Sequence, residues 1–498
     1  MRASSLLLLL PLLALPVRGP VRADDKKAPI DEAPVTTEHR IAVGGAQVAY
    51  VATAGRMTLR DYEGKPKARV FYVSYAREGT DDPAARPITF AFNGGPGSSA
   101  VWLHMGALGP RRVALGEEGE EVPPPYRLVD NEGSWLDLTD LVFIDPVSTG
   151  YSRPVEGEQA KQFHGLDEDV AWMSEFIRAY VTEHRRWASP KFLVGESYGT
   201  TRAAALAGHL QDSQGMFLNG VVLVSAVLDF STIRFDTGND QPFWLFLPSY
   251  TAVAWYHRRL EPALQARPLR AVLDEAEGWA RTEYLQALAR GADLPAADAE
   301  RAARGLARFT GLSLEFVRRA RLRVTGGMFQ KELLRADGRT VGRFDGRYLG
   351  QDPTDVGLSP GYDPSYAAIL GPYTATFNDY VRRELGYESG LPYEVLTGRV
   401  HPWTFPAQNR YVNVSDRLSG AMTKNPGLHV WVASGYTDLA TPYFAADYTV
   451  SHFGLDPARR ARVLQTYYES GHMMYLRRAD LVALKADAAR FYGQALRR

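Results

Sequence analysis

Short apolar runs alternate with longer amphipathic segments through the first half of the chain. Mostly apolar runs occupy residues 88–92, 141–144, 192–194 and 220–224, as expected of strands that are buried on both faces of a sheet. Between the second and third runs, residues 166–184 repeat apolar positions at the spacing of a helix. This alternation predicts an α/β fold with a mostly parallel sheet and helices on both of its faces.

The residues before the first run show a different pattern. Residues 40–77 contain short segments of alternating polarity, and turns at residues 44–45 and 63–64 separate them. Alternation with a period of two is typical of strands, and short glycine-containing turns join such strands as antiparallel neighbours. We therefore expect an N-terminal β meander that leads into the sheet.

A long segment with helical periodicity interrupts the α/β pattern. Residues 231–424 include arginine-rich stretches over about residues 268–321, and apolar strands resume afterwards at residues 428–435 and 463–468. Because these late strands need the earlier sheet as a neighbour, we interpret the segment as a large, mainly helical cap insertion rather than a separate domain.

These patterns predict the organisation of the whole chain. The expected parts are a signal peptide (1–23), the β meander (24–86), the first part of the core (87–230), the cap (231–424) and the second part of the core (425–498). The cap begins with a stretch rich in aromatic residues, which includes Trp244 and Tyr250. We expect this stretch to lie near the acyl or leaving-group pocket.

The first residues indicate export. A positively charged start precedes an apolar run over residues 6–16, and a small residue, Ala23, ends a possible cleavage site. Such a run is too short to span a bilayer and is typical of a secretory signal peptide. The remaining chain is expected to be periplasmic or secreted.

Composition narrows the chemistry. The 498 residues include 57 basic and 57 acidic side chains, a balance that removes the strongest sequence argument for a nucleic-acid or membrane partner. There is no cysteine, which excludes thiol catalysis and thiolate metal sites. Neither an H-E-x-x-H motif nor a Walker loop occurs, so no metal or cofactor is expected.

One serine has the sequence context of a nucleophile. Residues 195–199 read G-E-S-Y-G between an apolar strand and the start of a helix, as in the sharp strand-to-helix turn that exposes a catalytic serine, here Ser197. The same pattern recurs at residues 357–361. No apolar strand precedes that copy, and Pro360 has no N–H to offer an oxyanion, so we interpret it as a loop.

Asp438 and His472 are the candidate acid and base. Each follows a predicted strand, and the order Ser197, Asp438, His472 is the chain order of nucleophile, acid and base in the α/β-hydrolase arrangement. Imidazole takes the serine proton, and a carboxylate holds the imidazole in the right tautomer. Asp438 could instead cap a helix. Asp145 also ends a strand, but it precedes the serine and has the wrong order.

A glycine-rich loop follows the apolar strand at residues 88–92. Residues 93–99 read N-G-G-P-G-S-S, which lacks the G-x-G-x-x-G spacing of a dinucleotide-binding turn. We interpret the loop as part of an oxyanion hole, in which the N–H groups of Gly95 and Tyr198 face the reacting carbonyl.

Five motifs together resemble the serine carboxypeptidase family. They lie at residues 93–99, 144–152, 195–199, 435–438 and 471–475. The resemblance implies an α/β-hydrolase fold and the removal of C-terminal residues from peptides through an acyl-enzyme. It covers about residues 87–230 and 425–498, whereas the cap resembles only the family's habit of inserting one there.

The chain departs from the family pattern where a terminal carboxylate would bind. The resemblance implies that Asn93 and Glu196 bind the substrate's free C-terminus, assisted in the family by a tryptophan and a glutamate that are Ala91 and Ala107 here. Ser98 likewise replaces a family cysteine. Two carboxylates within hydrogen-bond reach share a proton, so peptide hydrolysis is expected to favour acidic pH.

Two other functions remain open from sequence. The same triad serves an esterase or acyltransferase, because a fold does not determine its substrate. The other alternative is a non-catalytic peptide-binding protein with an idle site. The expected partners are peptides with a free C-terminus, and the sequence predicts no oligomeric state.

Overall fold

The computed structural model describes residues 33–80, 82 and 84–497, so the expected signal peptide at residues 1–23 lies outside the described residues. The described strands are β1 (Val35–Val43), β2 (Ala46–Arg60), β3 (Pro66–Arg77), β4 (Ile88–Phe92), β5 (Arg111–Val113), β6 (Leu128–Asp130), β7 (Asp140–Ile144), β8 (Arg153–Pro154), β9 (Lys191–Glu196), β10 (Gly220–Val224), β11 (Thr340–Val341), β12 (Leu349–Gly350), β13 (His429–Gly435) and β14 (Val463–Tyr468). The α-helices are α1 (Val101–Leu103), α2 (Leu166–Glu183), α3 (Tyr198–Gln214), α4 (Gln241–Tyr256), α5 (Pro262–Gln265), α6 (Leu269–Trp279), α7 (Leu285–Arg290), α8 (Ala296–Thr310), α9 (Leu314–Arg319), α10 (Gly326–Glu332), α11 (Pro364–Arg383), α12 (Ser415–Lys424), α13 (Tyr443–Ser451), α14 (Pro457–Arg460) and α15 (Arg478–Ala495).

One ten-stranded sheet runs through the molecule in the order β1-β2-β3-β7-β4-β9-β10-β13-β14, with β8 paired to β3. The strands from β7 to β14 in this order are parallel neighbours. β1, β2 and β3 form an antiparallel edge, which joins β7 in antiparallel register. The prediction of a mostly parallel sheet is confirmed.

Alternate residues of the central strands face opposite layers of helices. In β9, Phe192 and Val194 belong to one buried cluster and Leu193 to another. Helices α11 and α15 pack on the first face, and α2, α3 and α12 pack on the second. Because both faces are dry, the central strands have no solvent-facing positions, which explains their continuous apolar sequence.

The chain between β10 and β13 leaves the sheet and returns beside the strand that it left. Helices α4 to α10 of this segment enclose a third buried cluster. Helix α11 differs, because its Tyr373 and Phe377 join the cluster on one face of the sheet. The segment is mainly helical, and its later part is packed into the sheet's own helical layer.

Phe246 of the aromatic stretch lines a cavity together with Ser197, as expected of that stretch, but Trp244 and Tyr250 line neither cavity at this serine. Both are buried in the third cluster: the Trp244 ring meets Phe444 edge-on at 5.8 Å, and the Tyr250 ring stacks on Phe329 at 4.3 Å. Helices α4 to α10 need large apolar side chains to fill a core that is separate from the sheet's. The aromatic residues that begin the insertion mainly supply that core.

Candidate active site

Ser197 is the single residue between β9 and α3. Its φ is 60°, in the left-handed region that a non-glycine residue adopts only where the surroundings force it. A Cβ on Gly195 would lie 2.1 Å from the Gly199 carbonyl oxygen, and one on Gly199 would lie 2.8 Å from the Phe92 carbonyl oxygen. Both flanking glycines are therefore needed for a turn that exposes the serine at the carboxyl end of the sheet.

The loop after β4 lies directly against this turn. A Cβ on Gly94 would be 2.4 Å from the backbone nitrogen of Tyr198, so the two backbones are in contact. Gly95, Ser197 and Tyr198 line one cavity. Within the described part of the chain, the N–H groups of Gly95 and Tyr198 have no hydrogen-bond acceptor, which leaves both free for a ligand oxygen.

Asp438 and His472 meet in the loops that follow β13 and β14. His472 Nδ1 lies 2.7 Å from Asp438 Oδ2, and both side chains are buried. Asp438 Oδ1 accepts the N–H groups of Ala440 at 2.7 Å and Thr441 at 2.9 Å. Burial lowers the pKa of His472, but the Asp438 carboxylate raises it, and the net pKa lies above the ordinary 6.5. The pair is therefore suited to hold a proton on imidazole.

Two hydroxyl groups that sequence reasoning missed hold this pair. Thr441 Oγ1 lies 2.8 Å from Asp438 Oδ2 and 3.0 Å from the Ser225 carbonyl oxygen. The Ser225 hydroxyl donates to the His472 carbonyl at 2.6 Å. Ser225 follows β10, the strand between those of the serine and the acid. In the sequence, the position of Ser225 directly after the apolar run at residues 220–224 is the signal that could have identified it as a site residue.

Two residues of the insertion hold the histidine from another side. The Phe344 ring stacks on the His472 ring with centroids 5.0 Å apart. The backbone carbonyl of Phe344 also accepts a hydrogen bond from the backbone N–H of His472 at 2.6 Å. Buried Asp345 accepts the Gly471 N–H at 3.0 Å and the Thr437 hydroxyl at 2.8 Å. One carboxylate thus joins the two loops that carry the candidate acid and base. No sequence motif marks these contacts.

Two cavities, each of about 350 Å³, meet at Ser197. Both are lined by Gly95, Ser197 and Arg343. The Glu196 cavity is also lined by Asn93, Glu196, Trp102, Tyr366, His401 and His472. The Arg234 cavity is also lined by Tyr198, Phe230, Arg234, Phe246, Gln330 and Thr441. The fold therefore brings the predicted serine and histidine to one cavity, together with Asn93 and Glu196.

The Glu196 carboxyl is buried in a hydrogen-bonded cluster. The Tyr475 hydroxyl donates to Glu196 Oε2 at 2.7 Å, and the Asn93 side chain also hydrogen-bonds Glu196. Asn93 Oδ1 accepts the Leu103 N–H at 3.1 Å, so its amide nitrogen is left for the carboxyl. Burial raises the pKa of Glu196 to about 7.

Tyr475 is a further residue that the sequence reasoning missed. It lies in the motif at residues 471–475, three positions after His472, but no role was predicted for it. A Cβ on Gly106 would be 2.4 Å from the Tyr475 ring and 2.5 Å from the Tyr373 hydroxyl. Tyr475 therefore packs over the glycine that precedes Ala107 and contacts Glu196, near one of the two positions where the family pattern is lost.

The competing candidates lie elsewhere. Asp145 accepts the Ala100 N–H at 2.8 Å and the Tyr393 hydroxyl at 3.3 Å, and it lines neither cavity. Ser359 lies in the loop between β12 and α11, as predicted.

Among the described residues, no helix combines the length and hydropathy needed to cross a membrane.

Parts of the chain are similar in sequence to known proteins. The family model of serine carboxypeptidases matches residues 50–233. Serine carboxypeptidase-like 45 of Arabidopsis thaliana is 25% identical over 197 residues, which are 38% of this chain and 39% of the relative. Pheromone-processing carboxypeptidase KEX1 of Saccharomyces cerevisiae is 29% identical over 156 residues, 29% of this chain and 20% of the relative. The matched segments thus span less than half of these relatives' own length.

A solved structure extends the likeness to the fold of most of the chain. The crystal structure of KEX1(delta)p, a prohormone-processing carboxypeptidase from Saccharomyces cerevisiae, superposes with a TM-score of 0.55 at 17% identity. The superposition covers 89% of this chain and 91% of that one. The matched segment resembles the serine carboxypeptidase family, and the sheet topology and this likeness together give the chain the α/β-hydrolase fold.

Proposed function

We propose that the protein is a serine-type carboxypeptidase that releases C-terminal residues from peptides through an acyl-enzyme on Ser197. His472 acts as the general base and acid, Asp438 orients and stabilises its imidazolium, and the N–H groups of Gly95 and Tyr198 form the oxyanion hole. Glu196 and Asn93 bind the free carboxyl group of the substrate.

The chemistry proceeds in two acyl transfers. Ser197 Oγ attacks the scissile carbonyl carbon while His472 accepts the hydroxyl proton, and the carbonyl oxygen becomes an oxyanion held by the two N–H groups. His472 then returns the proton to the leaving nitrogen as the C–N bond breaks, which releases the C-terminal residue. Water repeats the sequence on the acyl-enzyme, with its proton passing through His472, and regenerates the serine.

One observation supports the exopeptidase reading above others: the Glu196 cavity contains the serine, the histidine and a buried carboxyl of raised pKa. A carboxyl that keeps its proton to about pH 7 can donate a hydrogen bond to a second carboxylate, whereas an ionised one would repel it. A substrate with an alcohol leaving group, or a bond inside a peptide, has no carboxylate at this position and would gain no binding from the Glu196 carboxyl.

The deciding experiment compares a peptide with its C-terminally amidated form, at pH 5 to 8, with products read by mass spectrometry. We expect sequential loss of single residues from the free peptide and at least tenfold slower cleavage of the amide, the cost of about 1.4 kcal/mol for one lost charged contact. Equal rates, or internal cleavage, would leave the esterase, acyltransferase or endopeptidase reading on the same triad.

We propose that the chain is exported, since residues 1–23 have the pattern of a signal peptide, and N-terminal sequencing of the exported protein should begin after Ala23. We also propose that residues 231–424 act as a cap on a catalytic unit made of residues 24–86, 87–230 and 425–498.

A further inference from the structure

The Arg234 cavity is lined by two arginines and carries positive charge. Several other insertion arginines are paired with carboxylates: Arg270 with Glu277, Arg308 with Glu275, and Arg323 with Asp240. Arg234 and Arg343 line the cavity, and within the described residues neither guanidinium has an acidic partner or a hydrogen-bond acceptor. Each only lies over an aromatic ring, that of Phe230 at 5.8 Å and Phe344 at 5.5 Å.

A buried amide adds to these two charges. Gln330, on α10, lines the same cavity and is only 7% exposed. Within the described part of the chain, its side-chain amide has no hydrogen-bond partner, and the amide atoms are open to the cavity and not fully enclosed. Among the described residues that line this cavity, none is acidic. Two cations and an unpaired amide thus face a space that contains no negative charge.

The position of this cavity assigns it to one side of the scissile bond. The Arg234 cavity meets the Glu196 cavity at Ser197, where the reacting carbonyl must lie. If the free carboxyl group of the leaving residue binds Glu196 and Asn93, the acyl part of the substrate extends the other way. The residue on the acyl side of the cleaved bond therefore enters the Arg234 cavity, a step that rests on the proposed function.

We propose that the Arg234 cavity selects an acidic side chain, aspartate or glutamate, at the penultimate position of the substrate. Arg234 and Arg343 supply the charge for the carboxylate, Gln330 supplies an amide donor, and Phe230 and Phe246 contact the methylene groups. A planar guanidinium suits a carboxylate better than an ammonium would, because it donates two parallel hydrogen bonds. A basic penultimate side chain is repelled by the same two arginines.

The test uses blocked dipeptides that share C-terminal phenylalanine and differ in the penultimate residue: N-acyl-Glu-Phe, N-acyl-Gln-Phe and N-acyl-Lys-Phe. Glutamine matches glutamate in shape without its charge. We expect kcat/KM to fall about fivefold from Glu to Gln and again from Gln to Lys, the factor typical of a solvent-accessible ion pair. The preference should shrink in 1 M salt, where the screening length falls to about 3 Å.

Two variants and a matched control locate the charge that is responsible. Arg234→Gln leaves Arg343 in place and should reduce the Glu-to-Gln ratio of kcat/KM about twofold, whereas Arg234→Glu cancels the charge of Arg343 and should bring the ratio to about one. Arg319→Gln removes the same charge from an exposed position on α9 and should leave the ratio unchanged. A wild-type ratio near one, or an equal loss in the Arg319 variant, overturns the proposal.

A second substrate series separates this inference from the proposed function. The p-nitrophenyl esters of N-acyl-glutamate and N-acyl-glutamine place the same side chains on the acyl side but carry no terminal carboxylate at the leaving group. If peptides are not cleaved but the glutamate ester acylates Ser197 faster, the carboxypeptidase proposal fails and the acidic subsite stands. If peptides are cleaved and neither series shows a preference, the subsite fails and the carboxypeptidase proposal stands.

Discussion

The two cavities that meet at Ser197 are equal in size but differ in how their polar groups are held. In the Glu196 cavity, Glu196 and Asn93 follow or end central strands, are buried, and are hydrogen-bonded to each other. In the Arg234 cavity, the guanidinium group of Arg234 is exposed and unpaired within the described residues, as is that of Arg343, which lines both cavities. The comparison indicates that the sheet positions the reacting groups, and that the insertion adds a separately adjustable surface for the substrate's side chain.

The insertion nevertheless does more than cover the site. Its Phe344 and Asp345 contact the loops that carry His472 and Asp438. Substitution in the insertion can therefore affect either selectivity or catalysis, depending on whether the residue faces a cavity or a loop.

Loss of the nucleophile or the base should abolish peptide hydrolysis, because both cavities serve the same reacting serine. Ser197→Ala or His472→Ala should lower kcat by about 10⁴ to 10⁶, and Asp438→Asn by about 10⁴, because the triad acts as a unit. Peptide hydrolysis and labelling with an active-site fluorophosphonate provide the measurement. Ser359→Ala is the control, and label on Ser359 would refute the assignment.

Substitution of Trp244 should affect stability without affecting selectivity. Trp244→Ala removes a buried ring from the insertion's own core and should cost about 3–5 kcal/mol in the free energy of unfolding. Phe246→Ala is the matched variant, since Phe246 is also buried but lines the Arg234 cavity. Urea denaturation measures stability, and the ratio of kcat/KM for two penultimate residues measures selectivity. Only the Phe246 variant should change that ratio.

Glu196 should make the Glu196 cavity sensitive to pH. Since the pKa of Glu196 is about 7, the wild-type rate on free peptides should fall about tenfold per pH unit above that value, as the carboxyl loses the proton it shares with the substrate. Glu196→Gln should remove this decline and raise the relative rate at neutral pH. Amidated peptides, which offer no carboxylate, should show no such decline with either protein.

The same proton affects folding stability. The folded protein holds it to about pH 7, whereas an ordinary glutamate titrates near 4.5. The contribution of Glu196 to the free energy of unfolding is therefore full below pH 4.5 and is lost as the pH rises to about 7. Glu196→Gln should flatten this part of the stability curve, and an unchanged slope would show that the carboxyl is not buried in solution.

Tyr475→Phe should have the smallest effect. It removes the hydroxyl that donates to Glu196 and should raise KM for free peptides about fivefold, for a hydrogen bond worth about 1 kcal/mol. Because this contact holds the pKa of Glu196 down, the decline in rate should move to higher pH. Tyr373→Phe is the control, since Tyr373 lies beside Tyr475 but is not a hydrogen-bond partner of Glu196. A profile that stays in place would give Tyr475 a packing role only.

Local patterns in the sequence were sufficient to predict the parallel sheet and the placement of its strand ends. Strands buried on both faces need continuous apolar runs, and the serine's turn needs glycines at residues 195 and 199 because any Cβ would collide with the backbone. Since parallel strands share one carboxyl edge, residues far apart in the chain could be assigned to one site. In this way Ser197, Asp438 and His472 were assigned to one predicted site.

Tertiary structure alone decided the contacts made across the insertion. Trp244 was expected near a substrate pocket but packs into a separate core, because an aromatic helix has the same sequence pattern whichever surface it covers. Phe344 and Asp345 reach the site through the path of the chain in space, and no local spacing encodes that path. Whether an arginine is paired or left facing a cavity likewise depends on neighbours distant in sequence, so the charge of the Arg234 cavity became visible only in the folded chain.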